Sequence, residues 1–576
     1  MKIVSSVAFY QVRPIASLKD LLEQSCELFN RNKAFVYKKK GIDEIQSVSY
    51  GDFKSDVDAF GTALIDLGLK DARIAILAEN RYEWAVSYFA VAGGTGIVIP
   101  VDKTLPFQEL ENIVHTSEAD AIIYSHKLEE SVKELANTCS TIKHFIGIDR
   151  ESPDGNLISY SELINKGKRL MNSGDKSFTS AKIDSEKMGI MLFTSGTSEF
   201  AKAVMLSHRN LCSDLMSVMS VVKTYPDDVF LSFLPLHHTY EFTCGFLSSI
   251  YSGSCIAFCE GLKHIAKNLK DFKATIMCSV PLIYENMYKK VMEQVSKQRG
   301  AKTKMNIAIK YSNFCRKYLN INPTKKLFKQ IHDVFGGHIR IFLSGAAAID
   351  PGVAKWFNDI GIKLLQGYGL TECCPLVTGN NDRQQKNDSP GVPLPDVEVK
   401  IDEPNEDGIG EIVTKGSNVM LGYYNNEEAT SKVLKDGWFY TGDLGYFDKD
   451  GFLHITGRKK NVIVLKNGKN VFPEELETIL NKSPYIKESM VWEKHEDNGD
   501  IKLCATVVVN NDYIGNKFSN KLLTEEELHS LIEHEIKEVN KKMPIYKYIR
   551  DFTIKQNDFI KTTTQKIKRY MEKVNK

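Results

Sequence analysis

Short apolar runs that end in small or polar residues recur along the first two thirds of the chain and constrain its fold more than any other feature. They are ARIAILAEN from Ala72, GIVIPVD from Gly96, DAIIYS from Asp120, KATIMCSV from Lys273, HIRIFLSGAA from His338 and IKLLQGYGLTE from Ile362. Because longer helix-like segments separate them, we predict an α/β fold with parallel strands. Ligands of such sheets bind beyond the carboxyl ends of the strands, so the loops there are candidate site loops.

The pattern changes twice in the last third of the chain. From Gly391 to Thr456 the sequence is rich in Gly, Asp and short β-like runs, which predicts a small subdomain of antiparallel strands. After Arg458, the segments PEELETILN, KESMVWE, KLCATVVVN and LTEEELHSLIEHEIKEVNKK predict a compact α+β domain. A chain of 576 residues also exceeds what one core usually organises. We therefore predict an N-terminal domain at 1–459, with its β-rich subdomain at 391–456, and a C-terminal domain at 460–576.

Charge, cysteine content and hydropathy exclude several classes of protein. The 75 basic and 73 acidic residues leave a net charge of +2, so no global field attracts nucleic acid, and no nucleic-acid partner is expected. Eleven scattered cysteines do not form a disulfide framework and suit a reducing cytosol. The N-terminus does not resemble a signal peptide, and no apolar run reaches the roughly 18 residues of a spanning helix. We expect a cytoplasmic protein, with peripheral membrane contact left open.

One of the strand-like runs leads into a loop dense in hydroxyl groups, within LFTSGTSEFAKAVMLSH from Leu192 to His208. Such a loop offers backbone N–H groups and hydroxyls to phosphate oxygens, and Lys202 adds a positive charge. It is not a Walker A loop, because Ala201 and Ala203 flank the lysine where that motif needs Gly and Ser or Thr. Taken alone, the segment would more often be an ordinary surface loop.

The loop resembles the TSGTTGxPKG signature of the adenylate-forming enzymes, the superfamily of acyl-CoA synthetases, peptide adenylation domains and firefly luciferase. Further segments resemble that superfamily in the same order: LPLHHTYE from Leu234, LSGAAAI from Leu343, QGYGLTE from Gln366, YTGDLG from Tyr440, GRKKNVIVLKNGKNVFPEELE from Gly457 and KTTTQKIKR from Lys561. Each is weak alone, but the set is specific. It implies a large adenylate-forming domain of layered α/β sheets followed by a smaller, mobile α+β domain.

The resemblance implies an ATP site built from several of these motifs. The residues that would hold the β- and γ-phosphates are Thr194, Ser195, Gly196, Thr197, Ser198 and Lys202. Those that would surround the adenine are Ser344, Gly345, Ala346, Gln366, Gly367, Tyr368 and Gly369, with the glycines allowing close approach and Tyr368 stacking on the ring. Asp443 would accept both ribose hydroxyls, and Arg458 would contact the nucleotide.

The catalytic assignments also come from the resemblance. Thr371 would contact the α-phosphate or the substrate carboxylate, and Glu372 would bind Mg²⁺ together with Thr194. This agrees with the few protein oxygens that Mg²⁺ needs when it is bound to ATP. Lys566 would stabilise the charge that grows as pyrophosphate departs. His238 would gate access of the acyl chain.

The family also swings its C-terminal domain between two half-reactions, about a hinge that aligns with Lys460. The HTYE ending, the basic insert from Tyr288 to Lys329 and VPLIYENMY from Val280 resemble long-chain fatty acid ligases. We therefore expect ATP-dependent formation of an acyl adenylate and transfer of its acyl group to coenzyme A.

Two alternatives stay open. The acceptor could be an acyl carrier protein instead of coenzyme A. The chain could instead be a weakened regulatory homologue, because Glu199 and Ala203 in the phosphate loop and Gln565 beside the lysine depart from the family pattern. Ala201 departs as well, and we expect altered affinity for ATP. The tail from Lys541 to Lys576 carries eleven basic and three acidic residues, a net charge of +8. This tail is either a solvated helical face or a surface that attracts CoA phosphates or anionic lipid.

Overall fold

A computed structural model describes residues 3–39, 44–194, 201–465, 469–496, 501–518, 523–561 and 567–572. The strands in these ranges are β1 (Lys33–Lys38), β2 (Ile45–Ser49), β3 (Ala72–Leu77), β4 (Gly96–Pro100), β5 (Ala121–Tyr124), β6 (His144–Gly147), β7 (Leu157–Ser159), β8 (Met188–Thr194), β9 (Lys202–Ser207), β10 (Val229–Ser232), β11 (Cys255–Phe258), β12 (Ile276–Ser279), β13 (Ile341–Ser344), β14 (Lys363–Gly369), β15 (Leu376–Gly379), β16 (Val392–Pro393), β17 (Val397–Asp402), β18 (Gly410–Gly416), β19 (Gly422–Tyr423), β20 (Leu434–Lys435), β21 (Trp438–Phe447), β22 (Leu453–Arg458), β23 (Ile463–Val464), β24 (Asn470–Val471), β25 (Ile486–His495), β26 (Ile501–Val509) and β27 (Asp551–Lys555).

The α-helices are α1 (Leu18–Phe29), α2 (Tyr50–Asp66), α3 (Tyr82–Ala90), α4 (Phe107–Ser117), α5 (Glu129–Thr138), α6 (Tyr160–Asn172), α7 (His208–Met219), α8 (Ser248–Ser252), α9 (Ile265–Asp271), α10 (Pro281–Ser296), α11 (Ala301–Phe314), α12 (Thr324–Leu327), α13 (Lys329–Val334), α14 (Pro351–Asp359), α15 (Glu427–Val433), α16 (Pro473–Leu480), α17 (Asn511–Lys517), α18 (Glu525–Asn540) and α19 (Arg569–Glu572). Wider π-helical turns occupy Val91–Thr95, Tyr240–Leu247 and Cys315–Leu319, and 3₁₀ turns include Thr371–Cys373 and Lys459–Asn461.

Two large sheets form the N-terminal part of the molecule. One has nine strands in the order β16-β15-β14-β13-β12-β10-β11-β1-β2, and the other has eight in the order β19-β9-β8-β4-β3-β5-β6-β7. The six predicted strands all form, and the pairs β3·β4, β3·β5, β12·β13 and β13·β14 are parallel as expected. The prediction of a layered α/β fold is confirmed.

A shared core lies between the two large sheets. Phe35 and Phe258 from the nine-stranded sheet belong to the same buried cluster as Ile74 and Ile190 from the eight-stranded sheet. Helices with apolar sides, such as α2, fill the space between these layers because their buried residues contact both.

The smaller sheets lie where the composition of the last third predicts them. Strands β17, β18, β20, β21 and β22 form one antiparallel sheet between residues 397 and 458. Strands β25, β26 and β27 form another, whose residues share a separate core with α16 and α18. All eleven cysteines are free thiols, as expected. Within the described ranges, no helix combines the length and the apolar character that a bilayer span requires.

Candidate active site

The phosphate-loop motif lies between β8 and β9, which pair antiparallel to each other. Thr194, the last residue of β8, and Lys202, the first residue of β9, are cross-strand partners, and the Thr194 hydroxyl donates to the Lys202 carbonyl oxygen at 3.5 Å. The predicted phosphate-binding residues Ser195, Gly196, Thr197 and Ser198, and the departing residue Glu199, lie outside the described residues. The pairing of these strands therefore places the first and last predicted residues of the motif side by side.

Ala203 departs from the family pattern without straining the backbone. It lies in the regular strand β9, opposite Phe193, and its side chain is buried in an apolar cluster with Met191 and Val101. Any L-residue adopts extended backbone, so the methyl group that replaces a hydrogen here fills core space.

Tyr423 joins two of the predicted motifs. It lies on β19, which pairs with β9 in the register Tyr423↔Val204, close to the start of that strand. The Lys202 ammonium stands 4.6 Å from the centre of the Tyr423 ring, and the Tyr423 hydroxyl donates to Glu372 Oε1 at 2.9 Å. Lys202 and the predicted metal ligand Glu372 therefore contact the same buried side chain, Lys202 at its ring and Glu372 at its hydroxyl.

The environment of Tyr423 keeps its hydroxyl protonated, so the hydroxyl remains a hydrogen-bond donor. Burial, and then the charge of Glu372, raise the pKa of Tyr423 well above its usual range, so its hydroxyl stays protonated. Glu372 lies with Thr371 in a single 3₁₀ turn that follows β14, and its backbone carbonyl accepts from the Met420 N–H at 2.8 Å. Since Tyr423 uses only Oε1, the Oε2 atom of Glu372 is left for another partner.

Tyr368, Asp443 and Arg458 form a second linked group. The Tyr368 hydroxyl donates to Asp443 Oδ2 at 2.7 Å, and Arg458 Nε lies 2.7 Å from Asp443 Oδ1. Asp443 and Arg458 are cross-strand partners in β21 and β22, which fixes this ion pair within the β-rich sheet. Asp443 is 5% exposed, so this hydrogen bond and this ion pair satisfy its carboxylate in a buried setting.

The residues predicted to surround adenine lie at the ends of two adjacent strands. Ser344 on β13 and Gln366 on β14 are register partners, and Gly345 and Ala346 follow directly. A Cβ at Gly345 would lie 2.9 Å from the Tyr240 ring, so the turn needs glycine to pack against the LPLHHTYE segment. The hydroxyl of Ser344 is buried without a hydrogen-bond partner, and it faces the cavity described below.

Gly369 has a packing role in addition to the nucleotide contact predicted for it. It pairs with Leu376 in the hairpin of β14 and β15, and a Cβ there would collide with the carbonyl of Pro375. The close approach that this glycine permits is therefore to a neighbouring strand. The stacking of adenine on Tyr368, whose ring is 8% exposed, stays a prediction.

Three cations gather beside the two linked groups. Partial burial, and then the charges of Arg458 and Lys202, lower the pKa of Lys460. Lys460 therefore lies within the electrostatic influence of Arg458 and Lys202, and such a group of cations suits a ligand with several negative charges. Lys460 lies in the 3₁₀ turn Lys459–Asn461, between the β-rich sheet and the last domain.

An apolar cavity opens next to the predicted adenine residues. Ser344, Gln366 and Gly367 line one part of it, together with Tyr240. The rest of the wall is almost entirely apolar and includes Val218, Met219, Val222, Phe230, Cys244, Ile276, Ile341 and Leu365. A predominantly apolar cavity with a few polar groups in its wall suits a ligand with an apolar tail.

The histidine pair of LPLHHTYE lies beside Asp102. The His237 and His238 rings are 4.2 Å apart, and His237 Nε2 is 3.7 Å from an Asp102 oxygen. Burial lowers the pKa of His237 to about 3, so its ring is neutral. His238 is half-buried, and its gating role stays a prediction.

The predicted catalytic lysine is Lys566, in the C-terminal segment. Lys566 and its neighbour Gln565 lie outside the described residues. Lys568, two positions later, is 3.6 Å from Glu109 on α4. That ion pair links the C-terminal segment to the N-terminal part of the molecule.

Two buried residues near these motifs were not predicted. Tyr423 has no motif signal, because its contacts arise from the pairing of β19 with β9. Glu241 is 1% exposed, and burial raises its pKa to about 8. It was visible as the last residue of LPLHHTYE, but a sequence does not show that the carboxyl group is buried.

Family models match most of the chain. The model described as AMP-binding enzyme matches residues 22–424, and the model described as AMP-binding enzyme C-terminal domain matches residues 460–572.

Individual relatives match almost end to end at low identity. Fatty acyl-CoA synthetase B of Dictyostelium discoideum is 27% identical, over 95% of this chain and 84% of its own. The chloroplastic long-chain-fatty-acid–[acyl-carrier-protein] ligase AEE15 of Arabidopsis thaliana is also 27% identical, over 82% of this chain and 74% of its own. Among solved structures, the anthranilate CoA ligase AuaEII in complex with anthranoyl-AMP superposes with a TM-score of 0.76 at 20% identity, over 99% of this chain and 98% of that one. At that identity the superposition establishes the fold alone.

Proposed function

The chain belongs to the AMP-binding enzyme family, and on that premise we propose that it uses ATP to convert a fatty acid to an acyl adenylate and then transfers the acyl group to coenzyme A. The substrate carboxylate attacks the α-phosphorus of ATP and pyrophosphate leaves; the thiol of coenzyme A then attacks the acyl carbon and AMP leaves. The observation that carries the proposal is the contact of Lys202 and Glu372 through Tyr423, because it unites two separate motifs around one anion site.

Three cationic side chains are proposed to bind the triphosphate of ATP. Lys202, Arg458 and Lys460 offer positive charge to the triphosphate, and preorganised charge of this kind lowers the barrier to departure of pyrophosphate. Thr194, at the end of β8, adds a hydroxyl beside Lys202. Thr371, next to Glu372, is proposed to contact the α-phosphate or the substrate carboxylate.

The chemistry of the donors fits Mg²⁺. Glu372 has one carboxylate oxygen fixed by Tyr423 and a second oxygen left, and Thr194 has a hydroxyl; these two would hold the ion together with phosphate oxygens. Bound there, Mg²⁺ supplies positive charge to the phosphates. The hydrogen bond from Tyr423 would orient the carboxylate before nucleotide binds, as second-layer partners of metal ligands do.

Asp443 is proposed to hold the ribose. One of its oxygens accepts a hydrogen bond from Tyr368 and the other forms an ion pair with Arg458, but a carboxylate has about four acceptor sites. The ribose hydroxyls can therefore join these donors without displacing them. The adenine would then lie at the ends of β13 and β14, against Ser344 and Gln366.

The apolar cavity is proposed as the acyl site. Ser344 and Gly367 line it and are also predicted nucleotide residues, so an acid bound in the cavity would lie next to the nucleotide. Its remaining walls suit a hydrocarbon chain. His238 is proposed to gate access to it.

The proposed mobile element is the C-terminal domain. We place its boundary at residues 459 and 460 and its hinge at Lys460, with Lys566 acting in adenylation. Its separate core of β25, β26, α16 and α18 supports motion as a unit.

Pyrophosphate release tests the first half-reaction. The full-length protein is mixed with ATP, Mg²⁺ and saturated fatty acids of increasing chain length, with Glu372→Gln as the inactive control. Release that depends on the acid and is lost in the variant is expected. The absence of release with every acid would favour the regulatory alternative over an enzyme.

Thioester formation tests the acceptor. The relative AEE15 is named as a ligase of acyl carrier protein, so that acceptor is the second candidate. Wild-type protein is supplied with labelled fatty acid and either coenzyme A or holo acyl carrier protein at equal concentration. We expect labelled acyl-CoA; acylation of the carrier protein alone would overturn the assignment of coenzyme A.

A further inference from the structure

An exposed apolar stripe runs along α11 and the π-helical turn that continues it. Its members, which we call the α11 stripe, are Ile307, Tyr311, Phe314 and Tyr318, each more than half exposed. At about 100° per residue, these four positions fall within a sector of about 60°. The Phe314 and Tyr318 rings contact each other with centroids 5.1 Å apart.

The opposite face of the same helix is anchored to the core. Met305 is buried, and Ala308 and Ile309 pack against the cluster beneath α10 and α14. The Asn313 amide donates to Asp359 Oδ1 at 3.0 Å, and the Arg316 guanidinium donates to the Asn358 carbonyl at 3.0 Å. These contacts fix the rotation of the helix, so the α11 stripe must face outward.

Positive charge surrounds the stripe. Residues 294–332 contain ten Lys or Arg and no Asp or Glu. Measured around the helix axis from Ile307, Lys304 lies about 60° to one side. Lys310 and Lys317 lie about 60° to 80° to the other side. None of these three lysines forms an ion pair within the part of the chain that the structure describes. Three more apolar side chains, Leu319, Ile321 and Leu327, are exposed in the following segment.

The basic tail, by contrast, is largely neutralised. Its Lys and Arg side chains pair with carboxylates in Lys541–Glu538, Lys547–Glu475, Lys555–Glu572, Lys561–Glu488, Lys568–Glu109 and Arg569–Glu477. The formal charge of a segment therefore does not identify the surface with unbalanced positive charge. The surface around α11 is one such surface.

We propose that α11 and the turn after it bind the surface of a bilayer that contains anionic phospholipid. From Ala301 to Leu319 this helix is about 28 Å long, and it would lie parallel to the bilayer with the α11 stripe among the lipid headgroups and the lysines on their phosphates. The charge complementarity selects an anionic lipid surface over a neutral one. A second copy of this positively charged segment is a poor partner, because like charges oppose its approach.

Vesicle flotation tests this surface without any assay of activity. The full-length protein is mixed with vesicles of phosphatidylcholine alone and of phosphatidylcholine with phosphatidylserine, at low and high salt. Strong binding is expected only to the anionic vesicles at low salt, since salt screens the attraction. Equal binding to both vesicle types, or no binding to either, would overturn the proposal.

Two variants separate the apolar and charged contributions. The pair Lys310→Glu with Lys317→Glu should weaken binding by at least about 25-fold, at about fivefold per lysine. The pair Phe314→Ser with Tyr318→Ser should weaken it by at least about tenfold. The controls are Lys70→Glu with Lys449→Glu for charge and Val7→Ser with Ile545→Ser for exposed apolar groups; these four residues are exposed elsewhere on the molecule.

The control pairs distinguish binding through the α11 stripe and its lysines from nonspecific adsorption to the vesicles. We expect both control pairs to bind like the wild type and all variants to keep its Tm. Loss of binding in the controls, or wild-type binding in the α11 variants, would refute the assignment. Sedimentation of the lipid-free protein supplies the remaining outcome: a dimer that Phe314→Ser with Tyr318→Ser abolishes would show that another copy covers the stripe.

Discussion

The hydroxyl of Tyr423 donates a 2.9 Å hydrogen bond to Oε1 of Glu372. The same ring lies beneath the Lys202 ammonium, so one side chain positions an acid and a base from two motifs that are 170 residues apart in sequence. Because Tyr423 is 5% exposed, the hydrogen bond forms away from bulk water and is stronger than it would be at the surface.

The variant Tyr423→Phe tests this relationship. It removes the hydrogen bond to the Glu372 carboxylate but keeps the ring under Lys202. A hydrogen bond to a charged group contributes about 1.5–3 kcal/mol, so we expect kcat/KM for adenylation to fall by about 10- to 100-fold and the Mg²⁺ requirement to rise. The measurement is pyrophosphate release against Mg²⁺ concentration.

The neighbouring tyrosine supplies a matched control. The Tyr424 hydroxyl lies 3.4 Å from a Glu118 oxygen, away from Glu372, so Tyr424→Phe should retain wild-type kinetics. Equal losses in both variants would show that Tyr423 acts through general stability of β19 and not through Glu372.

The fold could largely be predicted from the sequence, whereas the contacts of Tyr423 could not. Strands such as β3 and β13 are short apolar runs between polar turns, and this local pattern is sufficient to identify them. The pairing of β19 with β9 joins residues more than 200 positions apart, and no local pattern encodes it.

In the candidate site, likewise, the residues could be predicted from motifs but their contacts could not. Asp443 and Arg458 were identified through family motifs, yet their ion pair depends on the register of β21 with β22. The second use of Gly369, which faces Pro375, depends on a hairpin that a motif does not describe. Local sequence motifs identify the residue types of a site, but the tertiary structure determines which of these groups contact each other.

A substitution at Asp443 tests the proposed ribose site. Asp443→Asn keeps the size of the side chain but removes the charge that pairs with Arg458 at 2.7 Å. We expect the KM for ATP to rise at least about tenfold, because the neutral amide accepts the ribose hydroxyls more weakly than a carboxylate does and no longer pairs with Arg458. Initial rates at varied ATP provide the measurement.

Asp448→Asn is the control for that experiment. Asp448 lies just after the end of β21, paired with Lys386, and hydrogen bonds and this lysine hold its pKa below the usual range despite the opposing effect of burial. Its loss should affect stability but not the KM for ATP. An unchanged KM in Asp443→Asn would remove Asp443 from the nucleotide site.

The buried carboxyl group of Glu241 should make stability depend on pH. Burial raises its pKa from 4.5 to about 8, so between these values the folded state holds a proton that the unfolded state releases. The stability from this group is therefore complete below about pH 4.5 and falls as the pH rises to about 8, by up to about 1.4 kcal/mol per pH unit.

Glu241→Gln tests that dependence, because the amide mimics the protonated acid. The Tm of the variant, measured from pH 5 to 9, should exceed that of the wild type by a margin that grows with pH. Glu398→Gln, at an exposed position of β17, should keep the wild-type slope. Parallel curves for wild type and Glu241→Gln would contradict a protonated Glu241.

Filling the apolar cavity should change the preference for chain length. Val222 lines the cavity and is only partly buried, so Val222→Phe can extend into it with less overpacking than a fully buried position would suffer. We expect kcat/KM to fall at least about tenfold for long acids and little for short ones. Cys212→Ala, a buried position outside the cavity wall, should leave the profile unchanged. A uniform loss over all chain lengths in Val222→Phe would place the acyl chain elsewhere.

Separating the half-reactions tests Lys566. If its ammonium stabilises the charge on departing pyrophosphate, Lys566→Ala should slow adenylate formation by at least about 100-fold and leave thioester formation from a preformed acyl adenylate close to wild type. Lys568→Ala is the control, since Lys568 contacts Glu109 and has no proposed role in either step. The split between the two rates is the decisive measurement, because misfolding of the C-terminal domain would impair both. Equal loss of the two half-reactions in Lys566→Ala would mean that this lysine supports the domain and not the chemistry of adenylation.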